Sequence, residues 1–455
     1  MSLHRADTIV ALATAPLAAG VAVLRLSGPQ AVAAVAALHP PFANATPRTL
    51  MYGTLTWQGE ALDHALMARF EAPHSFTGEH VAEVHTHGGR AVVQAVLAAL
   101  LAQPGVRLAE AGEFSRRAFL NGKLDLTEAE GLADLIAADT EAQRRQALRQ
   151  LDGELGVRFE QWRSDILHLL AHVEAAIDFP DEELEVLEDA RLAQGLDRLI
   201  ATFDTALATT VGDRVRDGFR VVIVGRPNAG KSTLTNLLTG RDTAIVSPIA
   251  GTTRDVVEAV LNLNGFPVVL ADTAGLRPTA DTIEAEGVRR AKAHAAKADV
   301  VVLVVDAAEF PTLDPEAAAA LRPGASLIVV SKADTRPGAD FPPVLKDHPV
   351  LAADLTAPSA GPRLVTALAD TVARLYAPAR EAALLTRTRH RQLVEQARGH
   401  LVRARGVLTQ PSVTSLSDLM AQDLRDAAKA IGHVTGRTGA EDVLDVVFST
   451  FCVGK

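Results

Sequence analysis

Short apolar runs broken by turn signals fill the first 120 or so residues. Thr8-Ile9-Val10-Ala11 and Val21-Ala22-Val23-Leu24-Arg25-Leu26 read as strands, and the second stops at Ser27-Gly28-Pro29, a turn signal. This stretch predicts a small α+β domain. Near Thr127 the apolar period lengthens. Thr127-Glu128-Ala129-Glu130 has the spacing of a capping box with Thr127 as N-cap, and Leu132, Leu135, Ile136, Leu148, Leu151 and Leu155 recur at helical spacing. The spacing predicts long helices as far as Ile177, then a break at Asp178-Phe179-Pro180-Asp181-Glu182-Glu183. By composition that acidic run is an exposed loop. A further helix is predicted over 186–210.

From 217 to 378 the pattern alternates. Val221–Val224, Val268–Leu270, Val300–Val305 and Leu327–Val330 are short continuous apolar runs separated by helical segments, which suits a parallel sheet covered on both faces. After about residue 380 helical spacing returns, with Leu393, Ala397, Leu401, Ala404 and Leu408 on one face and Gln410-Pro411-Ser412 as the stop. The α/β unit is therefore inserted between two helical stretches expected to pack together. The expected organisation is a multidomain α/β chain: an α+β domain over 1–123, a helical domain in two parts over 124–215 and 380–455, and the inserted unit over 216–379. Internal repeats and long low-complexity tracts are absent from the sequence.

Composition narrows the class. The chain has 455 residues, 48% of them apolar, enough for several cores. Uninterrupted apolar runs of about 18 residues, the length of a membrane span, do not occur, and Met1–Asp7 lacks the basic-then-apolar plan of a secretion signal. The single cysteine, Cys452, cannot form an intramolecular disulfide and fits a reducing cytoplasm. A net charge of −10 with 2 Trp and 2 Tyr argues against gripping nucleic acid with the whole surface. Any RNA is expected to be held by a local patch or by a partner protein.

Chemistry concentrates in the inserted unit. Gly225-Arg226-Pro227-Asn228-Ala229-Gly230-Lys231-Ser232 fits GxxxxGK[ST] directly after a strand, the context in which backbone N–H groups converge on phosphate at a helix N-terminus. Lys231 is expected to neutralise the β- and γ-phosphates and Ser232 to ligate Mg²⁺, with Thr233 next in the helix. Asp272-Thr273-Ala274-Gly275 follows the strand Val268–Leu270: the Asp can hold the Mg²⁺ shell and the Gly N–H can reach the γ-phosphate. Between them lies Gly251-Thr252-Thr253-Arg254-Asp255, where either threonine can close on Mg²⁺ when the γ-phosphate is present. Ser331-Lys332-Ala333-Asp334 stands where GTPases usually carry Asn-Lys-x-Asp. Asp334 keeps the bidentate contact to guanine, whereas a hydroxyl at 331 replaces only part of an amide's hydrogen bonding. The last guanine loop is degenerate and falls at Ala352-Ala353 or at Leu355-Thr356. Leu276 occupies the place of the water-orienting glutamine of Ras-like switches, leaving Glu284 and Asp281 as candidates for that role.

The match then extends along the whole chain. Asp7–Ala11, Leu24-Arg25-Leu26-Ser27-Gly28, Ser75-Phe76-Thr77-Gly78-Glu79, His87-Gly88-Gly89, Gly112-Glu113-Phe114, Phe119–Leu126, Ala175–Glu183 and the ending Phe451-Cys452-Val453-Gly454-Lys455 together resemble the MnmE (TrmE) family of tRNA modification GTPases. The resemblance implies an N-terminal α+β domain that dimerises and binds a 5-formyl- or 5,10-methylene-tetrahydrofolate through Arg25, Glu83, Lys123 and Lys455, an all-α helical domain, and an inserted Ras-like P-loop GTPase domain. Arg and Lys suit the glutamyl carboxylates, and a Glu suits the amino and ring N–H groups of a pterin. The resemblance also implies that GTPase domains pair across the homodimer with potassium held by Asn228, Ser247, Ile249 and Thr252, with Thr253 as the Mg²⁺ threonine. The segment Ser247-Pro248-Ile249-Ala250-Gly251-Thr252-Thr253 thus counts with the nucleotide site, and Lys231, Thr253 and the water-positioning Glu284 as catalytic. The acidic 178–183 run becomes a family motif, and Cys452 matches a family cysteine. His85 and His87, without further ligands nearby, read as structural rather than metal-binding.

The function this implies is GTP hydrolysis that, with an MnmG-like flavoprotein holding most of the tRNA, adds a carboxymethylaminomethyl or aminomethyl group at C5 of the wobble uridine (position 34). Two rivals share some of these features: an Era- or Der-type ribosome-assembly GTPase, and a folate-dependent one-carbon transferase with a regulatory GTPase domain.

Overall fold

A computed structural model describes residues 7–178, 190–240, 259–271, 297–377, 385–408, 417–437, 444, 447–449, 451 and 454. Two compact units emerge, one from residues up to Ala133 together with those from Gly432 onward, the other from Asp134 to Ile431.

The first unit is built on a 6-stranded sheet: β1 (Thr8–Leu12), β2 (Ala19–Ser27), β3 (Met51–Trp57), β4 (Glu60–Phe70), β5 (Val81–Gly88) and β6 (Val106–Leu108), in the order β3-β4-β5-β2-β1-β6. The pairs are antiparallel except β1–β6. Alternation along the strands sorts the side chains. Val10, Leu24, Leu26, Met67 and Val84 pack under α1 (Ala31–Leu38) and α2 (Arg90–Leu101), against Val35, Leu38, Val96 and Leu100. On the other face Ile9 and Ala11 meet Ala109 and Phe114, the last from α3 (Glu113–Leu120). Leu126 and Ala129 of α4 (Leu126–Ile136) join Leu444, Phe448 and Phe451, so the C-terminal segment closes this unit's core.

The cap of α4 is Asp125 rather than Thr127. Asp125 Oδ1 accepts the Glu128 N–H at 2.8 Å and the Thr127 hydroxyl at 2.7 Å, while Glu128 Oε2 accepts the Asp125 N–H at 2.7 Å. The sequence holds two overlapping boxes of the same spacing. Burial selects the earlier one, because Thr127 and Glu130 lie inside. The predicted long helices over this stretch are three: α4, α5 (Glu141–Leu151) and α6 (Glu154–Asp178). A true capping box between Thr140 and Gln143 starts α5, and Gly153, at φ 84°, separates it from α6.

In the second unit α6 and α7 (Ala190–Ala208), followed by α8 (Val211–Asp217), lead into the inserted sheet. That sheet comprises β7 (Phe219–Val224), β8 (Ala259–Leu263), β9 (Phe266–Ala271), β10 (Val300–Asp306), β11 (Ser326–Ser331), β12 (Val344–Leu345) and β13 (His348–Ala352), in the order β12-β13-β11-β10-β7-β9-β8. Its five central strands are parallel and its two edge strands antiparallel. Helices α9 (Lys231–Thr239), α10 (Pro315–Ala318) and α11 (Ala360–Tyr376) connect it. Val300, Val302, Val304, Leu327 and Val329 bury toward one core, Val301, Leu303, Val305, Ile328 and Val330 toward another. That is why these strands read as unbroken apolar runs.

The chain then returns to helices α12 (Thr388–Val407) and α13 (Ser417–Thr435). Antiparallel α7 and α12 exchange ion pairs at seven-residue spacing, Arg398 with Asp204 and Arg405 with Asp197 at 2.8 Å, above an aromatic core of Phe159, Trp162 and Phe203. The buried face of α12 is His390, Val394, Ala397, Leu401, Ala404 and Val407, so Val394 and Val407 replace the expected Leu393 and Leu408. No helix among the described residues is long and apolar enough to cross a membrane.

Candidate functional site

The phosphate loop grows out of the sheet. β7 ends at Val224, and Gly225 follows at φ 145°, where a Cβ would fall 2.3 Å from the Val304 carbonyl oxygen of β10. Only glycine lets the loop leave between two parallel strands this closely. The turn continues through Asn228 at φ 62° to Gly230 at φ 97°, the N-cap of α9. The unpaired N–H groups of the first turn of α9 therefore open onto this loop, with the positive end of the helix dipole behind them.

Lys231 reaches back over the loop and donates to the carbonyls of Gly225 at 2.8 Å and Arg226 at 2.6 Å. It is half-buried, and burial holds its ammonium below the usual lysine range. An anion at the loop restores that lost solvation. Ser232 and Thr233 are exposed in the first turn of α9. A Ser232 hydroxyl at a helix N-terminus beside a phosphate cradle is a hard oxygen ligand of the kind Mg²⁺ takes. Asn228 is exposed at the loop's crest, where its side-chain carbonyl oxygen is a hard donor suited to potassium.

The base-side residues come from the next strand ends. Ser331 closes β11 and is 1% exposed; its hydroxyl donates to the Ala229 carbonyl at 2.7 Å and lies 3.3 Å from the Val305 carbonyl. Lys332, at φ 53°, pairs with Asp306 at 2.6 Å, and this hydrogen bond holds the Asp306 carboxyl below the usual range. Ala333 opens a single 3₁₀ turn containing Asp334, which is exposed. The Ala333 N–H donates to the Ala353 carbonyl at 3.5 Å, so the loop after β13 runs alongside. Both sequence candidates for the last guanine loop lie there: Leu355 packs against Gly230, and Asp354 accepts both the N–H and the hydroxyl of Thr356. The structure thus brings Asn228–Thr233 together with Ser331–Ala333. Ser247, Pro248, Ile249, Ala250, Gly251, Thr252, Thr253, Asp272, Thr273, Ala274, Gly275 and Glu284 lie outside the described residues.

Three contacts were not legible in the sequence. Arg226 pairs with Asp314 at 3.1 Å and Glu309 at 3.3 Å, tying the phosphate loop to the segment after β10. Asp306 holds Lys332, and its position at the C-terminal end of a parallel strand was the available signal. The third is the Ser331 hydroxyl, whose partner is set by a loop a hundred residues away.

The second cluster sits on the first unit's sheet. Ala11, Arg25, Glu83 and Ala68 are successive register partners across β1, β2, β5 and β4. Arg25 pairs with Glu83 at 2.8 Å and lies 5.6 Å from the centre of the Phe76 ring. A charge pair beside an aromatic ring has the chemistry to take a flat heterocycle with N–H donors and a carboxylate tail. Lys123 Nζ donates to the Pro73 carbonyl at 3.0 Å, and its stem packs against Gly78. Gly454 lies against the end of β1, where a Cβ would be 2.3 Å from the Leu12 carbonyl oxygen, and Lys455 and Cys452 lie outside the described residues. His87 pairs with Asp63 at 2.7 Å and His85 lies 3.4 Å from Glu83. Among the described residues no group of three or more potential ligands is placed to hold a metal ion.

Comparison with known proteins gives this geometry a family. The family described as GTP-binding protein TrmE N-terminus matches residues 8–123, and that described as MnmE helical domain matches residues 126–452. A protein of Caulobacter vibrioides named tRNA modification GTPase MnmE is 50% identical over 458 residues, covering 99% of this chain and 100% of the relative. Proteins of the same name from Rhodospirillum rubrum and Paramagnetospirillum magneticum are 48% and 47% identical, each over 99% of this chain and 99% and 100% of their own lengths. With two family matches in tandem and relatives alike from end to end, the chain belongs to the MnmE family of tRNA modification GTPases.

Proposed function

We propose that this protein is a Mg²⁺-dependent GTP hydrolase that works as a homodimer, in the cytoplasm, with an MnmG-like flavoprotein to install a carboxymethylaminomethyl or aminomethyl group at C5 of the wobble uridine of certain tRNAs. The observation that carries the hydrolase reading is Lys231, half-buried at the N-terminus of α9 with its ammonium bonded to the phosphate loop's own carbonyls. A γ-phosphate would take over those hydrogen bonds. The first turn of α9 orients the phosphate oxygens, Ser232 would hold Mg²⁺, and Asp334 would accept from guanine N1 and N2. Thr253 would close on the same metal, Asp272 and Gly275 would hold its shell and the γ-phosphate, and Glu284 would orient the attacking water.

Asn228, with Ser247, Ile249 and Thr252, would hold potassium, and a fixed cation beside developing phosphate charge can replace an arginine finger. In the first unit Arg25, Glu83, Lys123 and Lys455 would hold a tetrahydrofolate that supplies the one-carbon unit. The end-to-end match to relatives named tRNA modification GTPase favours this reading over ribosome assembly.

The test is the initial rate of GTP hydrolysis in potassium and in sodium at equal ionic strength. A clearly higher rate in potassium is expected; equal rates would remove the cation-completed site. An intact wobble-uridine modification profile in a deletion strain would sink the tRNA role.

A further inference from the structure

Resting on the GTP reading, the geometry points to a division of labour in the Ser331–Asp334 segment: Ser331 clasps the phosphate loop and does not read the base, so the N7 edge of the purine goes unrecognised there and selection falls to Asp334. The reason is a count of protons. A hydroxyl has one hydrogen to donate, whereas the amide of the usual Asn-Lys-x-Asp motif has two and can serve a backbone carbonyl and a purine N7 together. Ser331 directs its single hydrogen at the Ala229 carbonyl at 2.7 Å, and the next acceptor within reach is another backbone carbonyl, Val305, at 3.3 Å. N7 is an acceptor, so the lone pairs left on the hydroxyl cannot bind it.

Position reinforces chemistry. Ser331 is 1% exposed, and its Cβ would lie 3.3 Å from a Cβ placed on Gly230. It is thus wedged beneath the loop, with Leu355 Cδ1 equally close, at 3.3 Å, to that same Cβ position on Gly230. The clasp joins the end of β11 to the loop residue just before the helix N-cap, so it sets where Gly230 and Lys231 stand relative to the strand ends. Asp334, by contrast, is exposed, and a carboxylate's two oxygens can accept from two N–H donors at once.

Affinities of the full-length protein for GTP, 7-deaza-GTP and ITP, measured by displacement of a fluorescent guanine nucleotide, test this. A single neutral hydrogen bond is worth roughly two- to tenfold in affinity. The unaltered protein is expected to bind 7-deaza-GTP within about threefold of GTP and ITP, which lacks the 2-amino group, about tenfold or more weakly. Ser331→Ala should weaken all three nucleotides by one common factor and leave the GTP to 7-deaza-GTP ratio unchanged. Ser331→Asn supplies the missing donor and should create a preference for GTP over 7-deaza-GTP of about fivefold. A ratio above about threefold in the unaltered protein, or a ratio that collapses in Ser331→Ala, would overturn the inference. Failure of GTP to bind better than ATP would instead remove the GTP reading itself. The first two measurements decide the question even if the asparagine is too large for its buried place.

Discussion

Replacing Arg117 by methionine keeps an unbranched apolar stem in the buried position and removes the charge at the centre of the first unit's ion-pair network. Arg117 is 10% exposed and reaches Asp7 at 3.0 Å, Glu79 at 3.0 Å and Glu113 at 3.3 Å, joining the start of β1, the segment before β5 and α3. Removing one member of a buried pair costs about 3–5 kcal/mol, because the partner stays desolvated. Two features lower that here. Asp7 and Glu79 are 27% exposed, and Arg107, which the change leaves in place, binds Asp7 at 2.6 Å and Glu113 at 2.5 Å in the native protein. A loss of about 2–3 kcal/mol at neutral pH follows. The pH dependence supplies the sharper check. Burial pushes the carboxyls of Asp7 and Glu113 up, but their hydrogen bonds and charge contacts with Arg107, and the charge of Arg117, outweigh it and hold both below their usual range. A carboxylate whose folded pKa is depressed contributes stability above its unfolded value, near 4, and loses it as pH falls through the folded value. The gap between the native protein and Arg117→Met should therefore narrow as pH drops below about 4. Urea unfolding followed by circular dichroism, with hydrogen exchange of the β1 and α3 amides to locate the loss, measures both. A loss under about 1 kcal/mol, or one equal at neutral and acid pH, would refute the electrostatic account.

Two further outcomes follow from backbone geometry. Gly225→Ala places a methyl group 2.3 Å from the Val304 carbonyl oxygen at φ 145°, so it should destabilise the inserted unit by roughly 3 kcal/mol or more and abolish GTP binding, whereas Gly122→Ala, at φ 66° in open space, should cost only about 1 kcal/mol; melting curves with and without GTP distinguish them. Gln143 accepts the Thr140 N–H at 3.0 Å in the cap of α5 and donates to the Arg216 carbonyl at 3.0 Å, next to the point where the Ala142 N–H meets the Gly265 carbonyl of the β8–β9 turn. Gln143→Ala should cost about 1–2 kcal/mol and speed hydrogen exchange at residues 139–144 and 262–266 together; faster exchange in the first segment alone would show that α5 does not anchor the hairpin.

Much of this molecule was written locally. The phosphate loop was legible because its chemistry is carried by consecutive residues: a strand, a glycine that must lie close to backbone, and a lysine at a helix start. The parallel strands were legible because burial on both faces leaves no polar position in Val300–Val305 or Leu327–Val330. Family membership was legible because its motifs are spread along the whole length. What the sequence could not decide were choices between equivalent local options. Asp125 and Thr127 offered the same cap, and Val394 and Leu393 similar apolar faces; packing chose between them through burial. Nor could it show that Ser331 spends its one hydrogen on Ala229, that Arg25 and Glu83 face each other across β2 and β5, or that Phe448 and Phe451 complete a core begun at Leu126. Those facts depend on which distant residues the fold makes neighbours. Propensity and periodicity act over a few residues along the chain, while hydrogen-bond partners and buried faces are settled only when strands and helices far apart in sequence come within a few ångströms.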